Sequence, residues 1–304
     1  MLTYEGKVAL VTGAGGGIGR AHALMLAERG ASVVVNDAGV ALDGSATANE
    51  PAHEVVEEIR AHGGDAVADA HSVATPSGGA ACVKRALEEF GRIDLVVHNA
   101  GISGRSPIDA LSEERLRSVV DVHLFGAFHV VQPAWPHFVD QGSGRIVLTT
   151  SGVGLFGLSG AAAYAVGKMG LVGLVRTLAI EGGPHGILVN GVAPFAQTRM
   201  AGQVFGGLID KLDPALVAVA VVALGHPSCD LTGRIISAGG GRVAEVFMGA
   251  TRGYFSEDLT PEDVLAHVEQ ITDRTGFEVP GDAMEEVAMT AAHYDAPDDS
   301  RSRI

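Results

Sequence analysis

Residues 8–37 decide the fold, and they read VALVTGAGGGIGRAHALMLAERGASVVVND. A run of apolar and β-branched residues ends at Thr12, and a second such run ends at Asn36. Between the two runs lie a glycine-rich turn, residues 13–19, and a segment whose apolar residues recur with the period of a helix. Strand, turn, helix and strand in this order predict a βαβ unit with parallel strands and a right-handed crossover. The sequence therefore predicts an α/β fold.

The same alternation of short apolar runs and longer helical segments continues to about residue 240. The predicted strands are Lys7–Thr12, Ser32–Asn36, Asp65–Asp69, Leu95–His98, Arg145–Thr150, Ile187–Ala193 and Arg234–Ser237. The predicted helices are Ile18–Arg29, Pro51–His62, Pro76–Phe90, Ser112–Val139, Ala161–Glu181 and Pro214–Leu224. Apolar strands that alternate with helices predict a Rossmann-type, doubly wound sheet of seven parallel strands with helices on both faces.

The turn after the first predicted strand is the first candidate binding site. It reads T-G-x-x-x-G-x-G, and Gly13, Gly17, Ile18 and Gly19 lead into the first predicted helix. Small residues at a helix N-terminus let backbone N–H groups approach a pyrophosphate, which the helix dipole also favours. The alternative is a tight turn that binds no ligand. Together with its strand and helix, this turn resembles that of the short-chain dehydrogenase/reductase family.

An acidic residue after the second predicted strand bears on the choice of cofactor. Asp37 lies 18 residues beyond Gly19. A carboxylate there accepts hydrogen bonds from a free ribose 2′-hydroxyl and repels a 2′-phosphate. No basic residue stands between Gly13 and Gly17 to offset that repulsion. We therefore expect NAD rather than NADP as the cofactor; the alternative is that Asp37 only starts a turn before Gly39.

The family resemblance implies further cofactor contacts after the third and fourth strands. Asn99, Ala100 and Gly101 match the family's Asn-Ala-Gly segment, whose small residues close on the adenine side of the cofactor while the Asn braces the sheet. His71 stands where the family usually has an Asp that contacts the adenine amino group. Either the His71 imidazole bonds to adenine, or the backbone of Ser72 makes this contact alone.

Three residues form the candidate catalytic set. Tyr164 and Lys168 have the i, i+4 spacing that places them on one face of a predicted helix, and Ser151 ends the fifth predicted strand. A phenol has a pKa of about 10, too high for a base at neutral pH, and a nearby ammonium group favours its ionised form. The set matches the family's Ser and Tyr-x-x-x-Lys, which implies hydride transfer between a secondary alcohol and the cofactor, with Lys168 beside the nicotinamide ribose. A surface i, i+4 pair is the alternative.

His123 is the fourth catalytic candidate. It stands where the family has an Asn, in the helix before the fifth strand, that holds a water in the proton relay. A neutral imidazole carries one donor and one acceptor and can hold the same water. The alternative is a histidine that fills a helix interface with its ring hydrogen bonds satisfied.

Two residues after the sixth strand complete the predicted cofactor site. Pro194 matches the family's Pro-Gly segment, although Phe195 replaces the Gly. Thr198 comes one residue earlier than the family's Thr, whose hydroxyl and N–H contact the nicotinamide carboxamide. The resemblance implies the same role for Thr198.

Several departures from the family pattern indicate a narrower group. Asp37 followed by a long loop to Pro51, His123 in place of Asn, and P-x-x-x-T-R-M from Pro194 resemble the (3R)-hydroxyacyl-CoA dehydrogenase domains of type 2 peroxisomal multifunctional enzymes, also grouped with 17β-hydroxysteroid dehydrogenases. This resemblance covers about residues 3–250 and implies oxidation of an alcohol at carbon 3 of an acyl thioester. A hydroxysteroid or terpene alcohol dehydrogenase, and a dinucleotide-binding sensor or scaffold without turnover, are the alternatives.

Composition limits the classes of partner. The chain has 304 residues, of which 47% are hydrophobic, and a formal net charge of −15, which is unfavourable for binding nucleic acid or an anionic membrane. No apolar stretch reaches the roughly 20 residues of a membrane span, and the N-terminus leads into a strand rather than a signal peptide. Two cysteines without metal-ligand spacing suit a reducing compartment and predict no metal site. We therefore expect a cytoplasmic protein whose partner is a small molecule.

The end of the chain differs in composition from the rest. Residues 243–304 carry 14 of the 36 acidic residues but only 4 of the 21 basic ones, and contain one predicted helix, Pro261–Thr272. We expect an NAD-binding domain at 1–242 and, at 243–304, an acidic helical extension packed on it. The predicted helix Ala161–Glu181 is apolar nearly all round and needs cover on two sides, of which the sheet supplies one. Related enzymes pair this helix across a two-fold axis, so we expect a homodimer or homotetramer.

Overall fold

The structure, a computed structural model, describes residues 2–41, 43–45, 50–197 and 206–294. Thr198, the predicted carboxamide contact, lies outside these described residues. The chain divides into two compact units, Met1–Val246 and Phe247–Ile304. The division falls four residues beyond the boundary predicted at residue 242, because the first unit includes an additional strand.

One sheet of eight strands forms the centre of the first unit, in the order β3-β2-β1-β4-β5-β6-β7-β8. The strands are β1 (Val8–Thr12), β2 (Ser32–Asn36), β3 (Asp65–Asp69), β4 (Leu95–His98), β5 (Gly144–Thr149), β6 (Ile187–Pro194), β7 (Ile235–Gly239) and β8 (Arg242–Val246). Strands β1 to β7 are parallel, as predicted, and β8 pairs antiparallel with β7.

The predicted count of seven strands was one too few, because β8 lacks the signal of a buried strand. Gly240 and Gly241 form the hairpin turn with φ of 53° and 81°, a two-residue connection that suits antiparallel strands. Strand β8 is mostly exposed and carries Arg242 and Glu245 instead of an apolar run. Charges on an exposed edge strand are typical of natural sheets.

Helices cover both faces of the sheet, which confirms the Rossmann-type, doubly wound α/β fold. They are α1 (Gly17–Glu28), α2 (Pro51–Ala61), α3 (Pro76–Phe90), α4 (Glu113–Val120), α5 (Gly126–Gln141), α6 (Gly152–Phe156), α7 (Ala162–Gly182) and α8 (Pro214–Leu224). Helices α1, α2 and α8 share a core with Ala9 and Val11, and helices α3, α5 and α7 share another with Val8 and Leu10. Alternate residues of β1 thus point to opposite faces of the sheet and pack in two separate cores.

The predicted helix Ser112–Val139 is interrupted. Ser112 lies outside α4 and caps it, since its Oγ accepts a hydrogen bond from the Arg115 N–H at 3.2 Å. A π-helical turn, Asp121–Phe125, then separates α4 from α5. The apolar periodicity of the sequence does not reveal the extra residue of a π turn, and such turns are frequent at functional sites.

Helix α7, with the short turn after it, is the only helix of the described chain long and apolar enough to cross a bilayer. Within the first unit it packs against β5 and β6. It also carries Lys168, of which only 2% is exposed. The core of the sheet unit therefore explains the buried part of its apolar surface, while Val166, Met169 and Ile180 remain exposed.

The second unit holds three helices in its described part: α9 (Pro261–Ala266), α10 (Val268–Ile271) and α11 (Ala283–Tyr294). Thr260 caps α9 through a capping box with Asp263. The predicted helix Pro261–Thr272 breaks at His267, whose ring stacks on Tyr254 with centroids 3.8 Å apart. No residue that the structure describes in this unit is fully buried.

Candidate active site

The strand order reverses between β1 and β4, and the carboxyl ends of the parallel strands meet at one edge of the sheet. In doubly wound sheets, ligands bind beyond this edge at the reversal point. A cleft of about 940 Å³ lies there. Its walls contain residues from the ends of β1, β2, β4, β5 and β6 and from α7.

The glycine turn forms one wall of the cleft. Gly13 has φ of 64°, and a Cβ added to it would lie 2.7 Å from the Cα of Ala100. A Cβ on Gly19 would overlap the carbonyl oxygen of Gly13, so both positions require glycine. Around Gly16 the space is open. No side chain caps helix α1, and no acidic residue lies in its first turn, so its N-terminal N–H groups can receive an anion.

Asp37 lies next to this turn and supports it. Its Oδ2 accepts a hydrogen bond from the Gly15 N–H at 2.9 Å, and its Oδ1 accepts one from Gly39 N–H at the same distance. Each carboxylate oxygen can accept a second hydrogen bond. Asp37 lines the cleft and can therefore also receive hydroxyl groups of a ligand. Turn formation and ligand binding, treated as alternatives in the sequence, are compatible here.

Asn99 and Ala100 hold the glycine turn against the end of β4. The Asn99 amide donates to the carbonyl oxygens of Thr12 and Gly13, each at 3.1 Å. The Ala100 N–H donates to the hydroxyl of Thr12 at 3.1 Å. Both residues line the cleft, and the hydrogen bonds of Asn99 hold β1 and its turn in place.

His71 and Ser72 follow β3 and also line the cleft. The side chain of His71 is 59% exposed, and its Nδ1 lies 2.8 Å from Oδ2 of Asp69, whose side chain is only 2% exposed. Asp69 was not predicted to be a partner of His71. The sequence indicates this pair only weakly, because a single acidic residue at the end of a predicted strand is common at the surface.

Ser151, Tyr164 and Lys168 meet in the same cleft, although they come from β5's end and from α7. Tyr164 and Ser151 share a side-chain hydrogen bond. Lys168 donates from Nζ to the carbonyl oxygen of Thr149 at 2.6 Å, and its Nζ lies 5.8 Å from the centre of the Tyr164 ring. A surface i, i+4 pair is thereby excluded, because Lys168 is buried.

The protonation of this set differs from the sequence-based expectation. Burial raises the pKa of the Tyr164 phenol, and the hydrogen bond with Ser151 offsets only part of the rise. Burial also lowers the pKa of Lys168 to about 7. Burial therefore opposes the lowering of the Tyr164 pKa that a charged Lys168 is expected to cause, and it leaves Lys168 only partly charged at neutral pH.

His123 lies in the π-helical turn and faces the catalytic set. Its ring meets the Tyr164 ring edge-on, with centroids 5.0 Å apart. Its Nε2 lies 2.8 Å from the carbonyl oxygen of Ile102 and 3.1 Å from the Ile102 backbone nitrogen, whereas its buried Nδ1 has no hydrogen-bond partner among the described residues. Burial and the charge of Lys168 hold the pKa of His123 well below its usual range. The ring is thus neutral, and only one of its two nitrogens has a hydrogen-bond partner among the described residues. The alternative, a histidine in a helix interface with its ring hydrogen bonds satisfied, predicted partners for both nitrogens.

The packing of His123 gives an additional reason why residue 101 is small. A Cβ on Gly101 would lie 3.0 Å from Nδ1 of His123 and still closer to its Cε1. Gly101 lines the cleft, but the histidine ring occupies the space beside it. The absence of a side chain therefore lets the π-helical turn bring His123 against β4.

His98 is a buried residue of the site that the sequence analysis did not identify. Its Nδ1 lies 3.2 Å from the Thr12 hydroxyl, and its Nε2 lies 3.1 Å from the carbonyl oxygen of His123. Because the Thr12 oxygen already accepts from two backbone N–H groups, its proton points to Nδ1, and Nε2 donates to His123. The only signal in the sequence was a histidine at the end of an otherwise apolar strand.

Pro194 ends β6 and lines the cleft together with Phe195. The Phe195 ring packs on Gly239, where a Cβ would lie 2.7 Å from its Cδ2. The Phe195 N–H bonds to the carbonyl oxygen of Ala238 at 3.0 Å. Gly239, the last residue of β7, thus accommodates the residue that replaces the family's Gly.

The site shows no metal-binding chemistry in its described part. No group of three or more His, Cys, Asp and Glu side chains among the described residues could hold a metal ion. The acidic and basic residues of the cleft wall, histidines aside, are mixed in charge, namely Asp37, Asp43, Glu114, Asp121, Arg105, Arg115 and Lys168.

Comparison with known proteins gives the same family as the motifs. Residues 7–206 match the family described as short chain dehydrogenase. The chain is 44% identical to the putative short-chain type dehydrogenase/reductase Rv0148 of Mycobacterium tuberculosis, over 91% of this chain and 98% of that protein. It is 43% identical to mouse peroxisomal multifunctional enzyme type 2, over 90% of this chain but only 37% of that longer protein.

A solved structure of a functionally described enzyme also superimposes on the chain. It is a 7α-hydroxysteroid dehydrogenase complexed with NADH and 7-oxo glycochenodeoxycholic acid. The TM-score is 0.71, with 31% sequence identity, over 79% of this chain and 95% of that one.

Proposed function

The chain belongs to the short-chain dehydrogenase family of oxidoreductases, and on this premise we propose that it oxidises a (3R)-hydroxyacyl-CoA to a 3-oxoacyl-CoA with NAD. One observation carries the proposal. Buried Ser151 and Lys168 and half-buried Tyr164 open into the same cleft as the glycine turn and Asp37. A protein that only bound a dinucleotide would have no physical need for a phenol beside a buried amino group.

The residues present fit a nicotinamide dinucleotide. The turn from Gly13 to Gly19, with its uncapped helix N-terminus, would hold the pyrophosphate, and Asp37 would bind the adenosine ribose. Tyr164, Lys168 and Pro194 would lie at the nicotinamide end. When bound, the dinucleotide supplies the hydride acceptor.

The preference for NAD over NADP rests on Asp37. Its carboxylate accepts hydroxyl groups and repels a phosphate in the same place. Dissociation constants for NADH and NADPH, measured by fluorescence titration, test this. We expect wild type to prefer NADH strongly and Asp37→Asn to lose most of that preference. Equal binding of both by wild type would contradict it.

The chemistry at the substrate follows from the catalytic set. Tyr164 takes the hydroxyl proton, and Ser151 hydrogen-bonds to the reacting oxygen as it becomes a carbonyl oxygen. Lys168, when protonated, stabilises the ionised phenol. Because burial raises the pKa of Tyr164, the ionised fraction grows with pH. Oxidation is therefore expected to become faster toward alkaline pH, and reduction toward neutral pH.

His123 completes the proton path in this proposal. Its Nε2 lies within hydrogen-bond distance of both the N–H and the carbonyl oxygen of Ile102, so Nδ1, which has no partner among the described residues, is the ring nitrogen that can hold a relay water. His98 fixes the backbone carbonyl of the same residue. The imidazole then takes the place of the family's Asn.

The acyl thioester is the preferred substrate class because of the narrower sequence resemblance and because the mouse relative bears the name of a peroxisomal multifunctional enzyme. A hydroxysteroid is the second candidate, since the superimposed steroid dehydrogenase uses the same fold. NADH formation from (3R)- and (3S)-hydroxyacyl-CoA, hydroxysteroids and terpene alcohols separates them. We expect turnover of the (3R)-thioesters; turnover restricted to sterols or terpenes would replace the proposed substrate.

We also propose a homodimer or homotetramer. Large apolar side chains are exposed on the π-helical turn, α5 and α7, namely Phe125, Phe128, Val166, Met169 and Ile180. An apolar surface of this kind is typical of a subunit contact. Light scattering at micromolar protein tests the assembly, and a monomer at that concentration would contradict it.

A further inference from the structure

The loop between β2 and α2, called here the β2–α2 loop, crosses the edge of the sheet; its described part is residues 38–41 and 43–45. Helix α2, into which the loop leads, packs on the face of the sheet that also holds α1 and α8. Val40 of the loop packs instead against a cluster of Ile102, Val119 and Ala163, of which the last two belong to α4 and α7. Helix α7 covers the opposite face. The loop therefore runs from β2 across the carboxyl edge toward that face before it returns to α2.

The side chain of Arg115, on α4, holds the loop at this crossing. Its Nη1 donates to the carbonyl oxygen of Asp43 at 2.7 Å, and its Nη2 donates to the carbonyl oxygen of Ser103. Asp43 belongs to the β2–α2 loop, and Ser103 to the segment that follows β4. A guanidinium presents its donors in a rigid planar fork, so one side chain fixes the two carbonyl groups relative to each other.

Hydrogen bonds inside the loop extend the effect of this contact. The Asp43 carboxylate accepts from the N–H and the hydroxyl of Ser45, at 2.9 and 2.6 Å. The Ala41 N–H donates to the Ser45 carbonyl oxygen at 2.8 Å, and the Gly44 N–H donates to the Ala41 carbonyl oxygen at 2.9 Å. A Cβ on Gly44 would lie 3.3 Å from Cδ1 of Ile102. Holding the Asp43 carbonyl therefore holds this part of the loop against the segment after β4.

The crossing places the loop beside the dinucleotide site. Strand β1 lies between β2 and β4 in the sheet, so a loop that runs from β2 to the segment after β4 passes the end of β1 and its glycine turn. The loop residues that line the cleft are Ala38, Val40, Asp43, Gly44 and Ser45. The proposed dinucleotide has its ribose at Asp37 and its pyrophosphate at the glycine turn. The loop therefore flanks the adenosine half of that ligand.

We propose that Arg115 is a positioning residue for the cofactor: by holding the β2–α2 loop against the segment after β4, it keeps the loop in contact with the bound dinucleotide and slows its release. The inference rests on the proposed function, because it presumes a dinucleotide in the cleft. Arg115 itself takes no part in proton or hydride transfer. Loops that cover a bound ligand commonly set the rate at which the ligand leaves.

Stopped-flow fluorescence measures the association and dissociation rate constants of NADH in the absence of substrate. Arg115→Met loses both hydrogen bonds of the guanidinium while it keeps an unbranched side chain. We expect its NADH dissociation rate constant to rise about tenfold, the size of one well-placed hydrogen bond, and its association rate constant to stay within about twofold of wild type. Arg115→Lys keeps the charge but lacks the fork that spans two carbonyl groups, so its dissociation rate constant should be intermediate.

Arg117→Met is the matched control. Arg117 lies on the same helix, is exposed, and pairs with Glu113 four residues earlier at 2.7 Å. It is not among the residues that line the cleft. Both NADH rate constants of Arg117→Met should equal those of wild type, because an exposed ion pair of this kind contributes little.

Hydrogen exchange tests the contact itself without any dinucleotide. In the ligand-free protein, a peptide that covers residues 38–45 should exchange its amide hydrogens faster in Arg115→Met than in wild type. The same peptide in Arg117→Met should exchange at the wild-type rate.

The outcomes separate this inference from the proposed function. Unchanged exchange in Arg115→Met would overturn the inference, since Arg115 would then not hold the loop. Faster exchange with a wild-type NADH dissociation rate would also overturn it, as would an equal rise of both rate constants, because the loop would then only gate the cleft. These results leave the proposed function intact. Failure of wild type to bind NADH would contradict the proposed function, and this inference with it.

Discussion

At the scale of single residues, the site combines groups whose chemistry was visible in the sequence with groups that only the fold brings together. The sequence could predict that Tyr164, Lys168 and Ser151 line one cleft, because their spacing and order match a known catalytic motif. Asp69 and His98 could not, because their roles depend on neighbours in other strands. Burial, which sets the pKa of Tyr164 and of Lys168, was equally invisible in a list of residues.

His123 provides a prediction about the proton path. His123→Leu removes the unpaired Nδ1 and puts an apolar side chain in the π-helical turn. We expect kcat for alcohol oxidation to fall on the order of tenfold or more, below the full effect of losing a general base. The dissociation constant of NADH should stay unchanged, and His123→Asn should recover part of kcat.

A steady-state pH profile of kcat for these variants distinguishes a relay from a structural role. If His123 only filled space, His123→Leu would have the wild-type pH profile and a nearly unchanged kcat. That result would remove His123 from the mechanism.

His22 provides a prediction about stability. It is fully buried in α1, and neither ring nitrogen has a partner among the described residues. Unpaired buried polar atoms destabilise a protein by about 1–3 kcal/mol each. His22→Leu should therefore raise the free energy of unfolding at pH 7, as measured by urea denaturation, whereas the exposed-site control His185→Leu should not.

The pH dependence of this effect has a definite sign. Burial lowers the pKa of His22 from 6.5 to about 3. Below pH 6.5 the unfolded chain gains a proton that the folded chain does not, so wild type loses stability between pH 6.5 and pH 3, by up to about 1.4 kcal/mol per unit. The stability advantage of His22→Leu should grow as the pH falls; a constant difference would contradict this assignment.

At the scale of elements, the sequence predicted those segments whose apolar period is long and regular. The seven parallel strands and most helix bounds follow from that period. It gave no sign of the π-helical turn, because a single extra residue in a helical turn hardly changes the pattern. It also missed β8, since an exposed edge strand has no buried face to mark it.

The contact between the end of β4 and the π-helical turn gives an element-scale prediction. Gly101→Ala would push a methyl group against the His123 ring. We expect a loss of about 1–3 kcal/mol in the free energy of unfolding, as for other overpacked sites, and a lower kcat.

A double-mutant cycle checks the cause. In a His123→Asn background the smaller side chain leaves room for the methyl group, so Gly101→Ala should cost clearly less there. Additive losses would show that the glycine is needed for another reason. Gly183→Ala serves as a control, because a Cβ there meets nothing within 4 Å.

At the scale of the whole molecule, the net charge of −15 is unevenly distributed along the chain. The acidic excess lies mostly in the last 62 residues, of which all but the first four belong to the second unit. The cleft itself has acidic and basic residues on its walls. The overall charge therefore describes the second unit more than the candidate active site.

Lys168 should make the stability of the protein depend on pH. Burial lowers its pKa from 10.5 to about 7. Between these pH values the unfolded chain carries a proton that the folded chain lacks, so stability rises with pH by up to about 1.4 kcal/mol per unit. Unfolding free energies of wild type and Lys168→Met between pH 7 and 10 check this: their difference should change in favour of wild type as the pH rises. A difference independent of pH would show that Lys168 keeps its ordinary pKa.

The most direct test of the central claim is NADH formation from (3R)-hydroxyacyl-CoA by wild type and by Tyr164→Phe, with (3S)-hydroxyacyl-CoA as the stereochemical control. We predict that wild type oxidises the (3R) substrate with NAD and turns over little or none of the (3S) substrate. In Tyr164→Phe the rate of NADH formation should fall at least about a hundredfold. Tyr164→Phe must still bind NADH with nearly the wild-type dissociation constant. Near-wild-type oxidation by Tyr164→Phe would contradict the account.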